Sequence, residues 1–177
     1  VFRLPFDRAA FLEKLKASYD YYYEIKYFDT EQTGALPLVM SAESHIRDEG
    51  YVLVKSAKIW AAESNEFVYV FSAPSLDKAM VARCIDQAIA DGEAKINPHP
   101  EHKNSFIIAV FVADWIDPDA QTEIRKRKFG KSYKMGFHGW STLKTAAVDI
   151  KKEMITVNKA GEDQKKFFKK LLRSEKV

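Results

Sequence analysis

The chain has 177 residues, 46% of them hydrophobic and 30% charged, with a formal net charge of +3, which is enough for one sizeable core in a single domain. That charge density and the lack of any apolar run of about 18 residues exclude a membrane-spanning segment and argue against disorder. A lone cysteine, Cys84, has no internal disulfide partner, so a reducing, cytoplasmic setting without a membrane partner is expected, although a start at Val1 rather than Met leaves room for an upstream targeting segment.

Asp7 is placed to cap a first helix, with Phe6 and Phe11 at the positions of a hydrophobic staple and Phe11, Leu12, Leu15, Tyr19 and Tyr22 at helical spacing. Its tyrosine-rich end, YDYYYEIKYF (19–28), reads as the roof of a core with hydroxyls reaching water. Three strand-like segments follow, LPLVMSAESHI, YVLVKSAKIWA and EFVYVFSA, separated by RDEG and ESN, and predict an antiparallel meander. Ser75 then opens a helix whose stripe runs through Leu76, Met80, Val81, Cys84, Ile85, Ala88 and Ile89 to Gly92, which makes Cys84 a buried thiol.

After the loop NPHPEHKN, the segment SFIIAVFVAD is apolar on both faces and reads as a central, doubly covered strand. Asp117 and Pro118 start a helix that ends at Gly130, and 115–118 is the one place where the expected single domain, 1–177, invites subdivision. KSYKMGF, TLKTAAVDI and MITVN predict a second meander, and EDQKKFFKKLL closes the chain with Phe167, Phe168, Leu171 and Leu172 inward. The expected architecture is α+β, order αβββαβαβββα, with antiparallel three-stranded meanders and helices packed mainly on one side of the sheet.

Candidate chemistry is concentrated in three places. If the first hairpin turns through Arg47 to Gly50, one face gathers Ser41, Glu43 and His45 with Ser56, Lys58 and Trp60: acid, imidazole, ammonium, hydroxyls and an indole. In a concave setting these bind a polar ligand, and a carboxylate beside a histidine is the minimal kit for proton transfer; the plain alternative is a solvent-facing sheet surface. The second place is KMGFHGWSTLK, where glycines on both sides of His138 allow close approach to the imidazole and Trp140 offers a wall, although a strand turning a corner is the economical reading. The third is the run RKRKFGKSYK, with Arg125, Lys126, Arg127, Lys128, Lys131 and Lys134 as candidate polyanion contacts. It belongs to a basic C-terminal third: residues 121–177 hold 16 basic and 6 acidic residues against 12 and 19 in residues 1–120. His99 and His102 lack a cysteine or carboxylate framework, so neither a metal nor another cofactor is expected.

The element order of the first 114 residues resembles that of the restriction-endonuclease-like nucleases. That family requires an acid in the second strand and acid-x-lysine in the third; the second segment here offers Lys55 and Lys58 with no interior acid, and EFVYVFS has no lysine, so no catalytic residue carries over. The blocks SHIRDEGYVLVKSAKIWAAESNEFVYVF and YKMGFHGWSTLKTAAVDIKKEMITVNKAG resemble an uncharacterised bacterial protein family, a domain of unknown function, which implies no activity, cofactor or site. With no complete catalytic constellation, the expectation is a small intracellular binding or regulatory domain with an unidentified ligand rather than an enzyme. The alternatives are a hydrolase using Glu43, His45 and Lys58, and nonspecific nucleic-acid or polyanion binding through the basic third.

Overall fold

The structure is a computed structural model that describes residues 7–29, 36–51 and 58–174, with the backbone alone described at 49–51 and 58–61. Asp7 accepts a hydrogen bond from the Ala10 amide at 2.6 Å and caps α1 (Arg8–Tyr19), which buries Phe11, Leu15 and Tyr19; the staple residue Phe6 lies outside the described residues. The tyrosine run does not extend the helix. It turns after Tyr19 into a four-residue strand, β1 (Glu24–Tyr27), so Tyr19 and Tyr23 join the core while Tyr21 and Tyr22 stand in solvent.

β2 (Leu38–Tyr51) and β3 (Lys58–Leu76) form one long antiparallel ribbon in which Ile46 faces Ser64 and Gly50 faces Trp60. Arg47 to Gly50 is therefore the interior of β2, not a turn, and the register assumed from the sequence is wrong. The charges of RDEG sit there because β2 has outrun β1, which pairs it only from Met40 to Glu43. α2 (Lys78–Lys95) is capped by Asp77 rather than Ser75, through the Met80 amide at 2.8 Å. Its stripe Val81, Cys84, Ile85 and Ala88 is buried as read, and burial pushes the Cys84 thiol up to about 12 against the pull of Arg83. Gly92 lies inside this helix instead of ending it: a Cβ there would come within 2.7 Å of Ile107.

β4 (His102–Ile116), α3 (Pro118–Lys126), β5 (Gly130–Ser132), β6 (Trp140–Asp149), β7 (Met154–Val157) and α4 (Glu162–Arg173) complete the chain. The string αβββαβαβββα holds, with its first three strands drawn from different segments than expected. The sheet runs β1-β2-β3-β4-β6-β5, with β7 also on β6, and it is mixed: β3, β4 and β6 are mutually parallel. Antiparallel meanders throughout were the wrong expectation, because α2 between β3 and β4, and α3 with β5 between β4 and β6, are crossovers that bring the chain back to enter the neighbouring strand in the same direction. Nor do the helices favour one side. α2 and α3 pack on the face of Phe67, Ile107 and Leu143, and α1 and α4 on the face of Val68, Ile108 and Ala146. Strands apolar on both faces need cover on both.

On the outer edge of β6, β5 pairs residues 140–142 and β7 pairs residues 146–149. The Asn158 side chain fills the seam. It accepts from the Thr145 and Gly161 amides at 3.1 and 2.8 Å and donates to the Leu143 and Arg127 carbonyls at 3.1 and 3.0 Å.

Candidate functional site

Side chains alternate along a strand, so on β2 Ser41, Glu43 and His45 all face the α2 side, opposite Tyr69, Phe67 and Asn65 of β3. Register extends two of these positions across the sheet. Phe67, Ile107 and Leu143 form an apolar row beneath the end of α2, and the next row reads His45, Asn65, Ser105, Ser141. Exposure does not explain the change in chemistry: Asn65, Ser105 and Ser141 are 4%, 0% and 1% exposed, against 2%, 0% and 1% for Phe67, Ile107 and Leu143.

The polar row is hydrogen-bonded in one direction. Glu63 can only accept, so the Asn65 amide nitrogen points to it at 3.1 Å and to Ser105 Oγ at 3.2 Å. Asn65 Oδ1 then accepts from His45 Nδ1 at 2.7 Å, which places a proton on Nδ1. At the other end His102 Nδ1 faces the His138 carbonyl at 2.6 Å and must donate, so in the neutral ring Nε2 accepts from Ser105 Oγ at 2.8 Å. Donors run without a break from His45 through Asn65, Ser105 and His102 to the His138 carbonyl.

This orientation leaves the neutral His45 ring with its Nε2 lone pair outward, 3.5 Å from Glu43 Oε2, on a side chain half exposed. Burial alone would raise the Glu43 carboxyl, but the Lys95 ammonium at 2.6 Å, and after it the protonated form of His45 donating from Nε2, outweigh it and hold the group below its ordinary value. Burial likewise works against the charge on Lys95, and its bonds to Glu43 and to Asp91 at 3.2 Å prevail and raise it. Desolvation and then the bond to Asp91 push the Tyr69 hydroxyl upward. The Glu43–Lys95 pair joins two hollows. Lys95 lines one of about 520 Å³ with Ser41, Tyr69, Gln87 and Asp91, and Glu43 lines one of about 320 Å³ with Tyr21, Tyr22, Glu24 and His45. A larger groove of about 840 Å³ lies at the β5–β7 seam, apolar around Phe129 and Leu143 with Lys128 and Lys159 at its rim.

The sequence-derived candidates divide accordingly. Ser41, Glu43 and His45 do share a face. Lys58 pairs with Tyr51 and Trp60 with Gly50, nine and seven residues along β3 from Phe67, so Lys58 is about 30 Å from Glu43, and a Glu43, His45, Lys58 hydrolase site is ruled out; Lys95 supplies the ammonium instead. Ser56 lies outside the described residues. His138 gives the row its carbonyl, and Trp140, half exposed, lies against Gly136. KMGFHGW is indeed a corner, but not the strand expected up to Phe137: Lys134, Met135 and Gly136 are left-handed at φ 45°, 53° and 91°. Gly139, at φ 81°, rests on His102, where a Cβ would lie 2.7 Å from Nδ1.

In the basic run, Arg127 is held by Asp86 and by Glu123 at 2.8 Å, and Lys131 lies 3.5 Å from Glu93. Arg125, Lys126, Lys128 and Lys134 meet no carboxylate among the described residues. His99 and His102 have all four ring nitrogens engaged: the Glu101 amide donates to His99 Nδ1 and His99 Nε2 to Glu63 at 2.8 Å, beside the two bonds of His102. No group of three or more His, Cys, Asp or Glu among the described residues is arranged to hold a metal ion. Asn65, Lys95, Glu63 and Ser105 were missed in the sequence; the visible signal is polar residues at alternate positions in the first turns of two otherwise apolar strands.

A family model for a domain of unknown function, DUF8052, matches residues 7–170. The chain belongs to this family. No curated protein and no solved structure matches it. On the strands that form, β2 has an interior acid, Glu43, but the one lysine of β3 is its first residue, preceded at the acid position by Ser56; the acid-x-lysine motif is absent here as well.

Proposed function

We propose that this member of the DUF8052 family is a ligand-binding domain that takes a small molecule bearing a protonated amine at the hollow between Glu43 and His45. The observation that carries the reading is the facing of His45 and Glu43: with Nδ1 committed to Asn65, the neutral ring turns its Nε2 lone pair toward the Glu43 carboxylate 3.5 Å away. A donor between them satisfies both. Glu24, the cross-strand partner of Glu43, adds negative charge, and the exposed Tyr21 and Tyr22 rings offer faces to a cation. Titration of the ¹⁵N-labelled protein with putrescine, with erythritol as the uncharged control, is expected to shift the His45 ring and Glu24–Glu43 backbone resonances for the amine alone. No perturbation by putrescine at millimolar concentration, or an equal response to erythritol, would refute the proposal.

A second reading rests on the same ring. A histidine oriented through Nδ1 with Nε2 free has the geometry of a general base for activating water. The buried single cysteine supports a reducing compartment such as the cytoplasm, and the uncompensated cations of residues 125–134 support a contact with an anionic partner.

A further inference from the structure

Between β5 and β6, residues 133–139 fold into a turn closed by its own backbone. The Tyr133 amide donates to the Gly139 carbonyl at 3.0 Å, and Gly136 and His138 both donate to the Tyr133 carbonyl, at 3.0 and 3.1 Å. Two non-glycine residues, Lys134 and Met135, are held left-handed within it, a conformation that persists only where the surroundings over-determine it. At its base Gly139 is packed against His102 and the Lys103 carbonyl, and Gly136 against the Trp140 indole. The turn therefore presents its tip preformed. That tip is apolar: Met135 is 90% exposed, Phe137 77% and Trp140 51%. Scattered apolar residues on a surface need no explanation, but three within six residues on one projecting, strained turn are a patch.

The segment that carries the tip is basic. From Ile124 to Val148 there is no Asp or Glu, while seven Lys and Arg occur; Arg127, Lys131 and Lys144 are paired with carboxylates from outside the segment, and Lys134 beside the tip meets none among the described residues. A convex apolar knob on a basic ground suits an anionic lipid surface, which accepts an inserted side chain without offering a matching pocket. Nucleic acid fits less well. Its backbone needs a track of free cations, and here Arg127 and Lys131 are drawn to Asp86, Glu123 and Glu93, while the most exposed tip residue, Met135, has no ring to stack. We propose that the Tyr133–Gly139 turn docks the protein on anionic bilayers, with Met135 and Phe137 entering the interface, Trp140 at headgroup level, and Lys134 against the lipid charge. No helix among the described residues is long and apolar enough to cross a membrane, and a surface contact needs none.

Flotation of the full chain with phosphatidylcholine vesicles, with and without phosphatidylserine, tests this. Binding is expected only with phosphatidylserine, falling as salt is raised. Met135→Asn with Phe137→Ser should weaken it about tenfold or more, and Lys134→Gln about fivefold. Asparagine is chosen because it tolerates the left-handed region, and unchanged near-UV circular dichroism would establish that the fold is intact. In a Trp60→Phe, Trp115→Phe background, Trp140 emission should shift to the blue on binding. No flotation at low salt, flotation indifferent to phosphatidylserine, or binding that survives the loss of Met135 and Phe137 would each overturn the proposal; the last is what a nucleic-acid surface would give, and duplex oligonucleotide binding by the same variant would identify it.

Discussion

Asn158 is 2% exposed and makes four side-chain hydrogen bonds to backbone, standing in for the strand that neither β5 nor β7 supplies beside Leu143 and Thr145. Asn158→Ala removes all four at once. The Arg127 carbonyl belongs to a half-buried residue and can turn to water, and the Gly161 amide keeps its bond to the Asn158 backbone carbonyl at 3.1 Å, but the Thr145 amide and the Leu143 carbonyl are enclosed. Leaving two buried backbone groups unpaired at about 1 to 1.5 kcal/mol each gives a loss of about 2–3 kcal/mol, a large part of the 5–15 kcal/mol typical of a whole domain. Urea unfolding followed by circular dichroism is expected to show that loss with an unchanged m value, and the thermal midpoint to fall by about 7 °C. Asn158→Asp keeps the shape and the two acceptors but turns both donors into carboxylate oxygens facing carbonyls. It should be destabilised at neutral pH and recover relative to wild type on acidification, when a protonated carboxyl donates to one of them. An alanine variant that loses less than about 1 kcal/mol would refute the claim that this side chain closes the sheet edge.

Two further outcomes follow from the geometry. Gly139→Ala puts a methyl 2.4 Å from the Lys103 carbonyl at φ 81° and should cost about 2–4 kcal/mol, with the His102 ring resonances displaced, whereas Gly130→Ala, whose Cβ would meet nothing closer than 3.5 Å, should be nearly neutral; equal losses would show that the contact with His102 does not matter. Glu43 and Glu63 titrate below the ordinary 4.5 in the folded protein and Lys95 above 10.5, so the carboxylates contribute stability that is complete above about pH 5 and is lost as pH falls through their lowered values, and Lys95 contributes stability lost only as pH rises past 10.5. Thermal melts of Glu43→Gln should show a flatter acid limb than wild type, and a limb of unchanged slope would count against the Glu43–Lys95 pair as its source.

The parts of the fold that were legible in the sequence are those a short window determines. The α2 stripe, Pro118 at the start of α3, the doubly apolar β4 and the inward face of α4 all follow from local periodicity, and the structure keeps them. β1 was invisible because four residues of strand sit inside a run of tyrosines that also satisfies helical spacing. The β2–β3 hairpin was misplaced because RDEG has turn chemistry, while the ribbon it lies in projects past its neighbours and tolerates charge and a glycine. One slipped register then moved Lys58 next to Glu43 on paper and hid Lys95, whose bond to Glu43 spans 52 positions of sequence. No local pattern contains a contact of that range. It depends on where α2 ends, and that end is set by Gly92 seating the helix on Ile107.

In open α/β sheets ligands usually meet the carboxyl ends of the parallel strands. Here those ends are sealed. Asp149 accepts from the Ile116 amide at 3.0 Å and the Lys152 amide at 2.9 Å, and the Asp117 and Ile150 amides bond back to Leu76 and Ala113. The polar row lies toward the opposite ends, where β2 runs antiparallel beside β3 and α2 stops. A core selected for stability alone would continue the row of Phe67, Ile107 and Leu143 one register further, since well-packed apolar residues do at least as well as a buried polar network. Instead three polar side chains, Asn65, Ser105 and Ser141, occupy equally sheltered positions, the donors from His45 to His102 are turned the same way, and the result is one imidazole at the rim with its Nδ1 proton fixed. An ordinary solvent-facing surface needs none of that orientation, because water satisfies a rim histidine whichever nitrogen carries the proton. With Nδ1 committed to Asn65, Nε2 is the nitrogen left to meet Glu43 or a ligand, which is why the functional reading is placed at His45 and not at the larger apolar groove by Phe129.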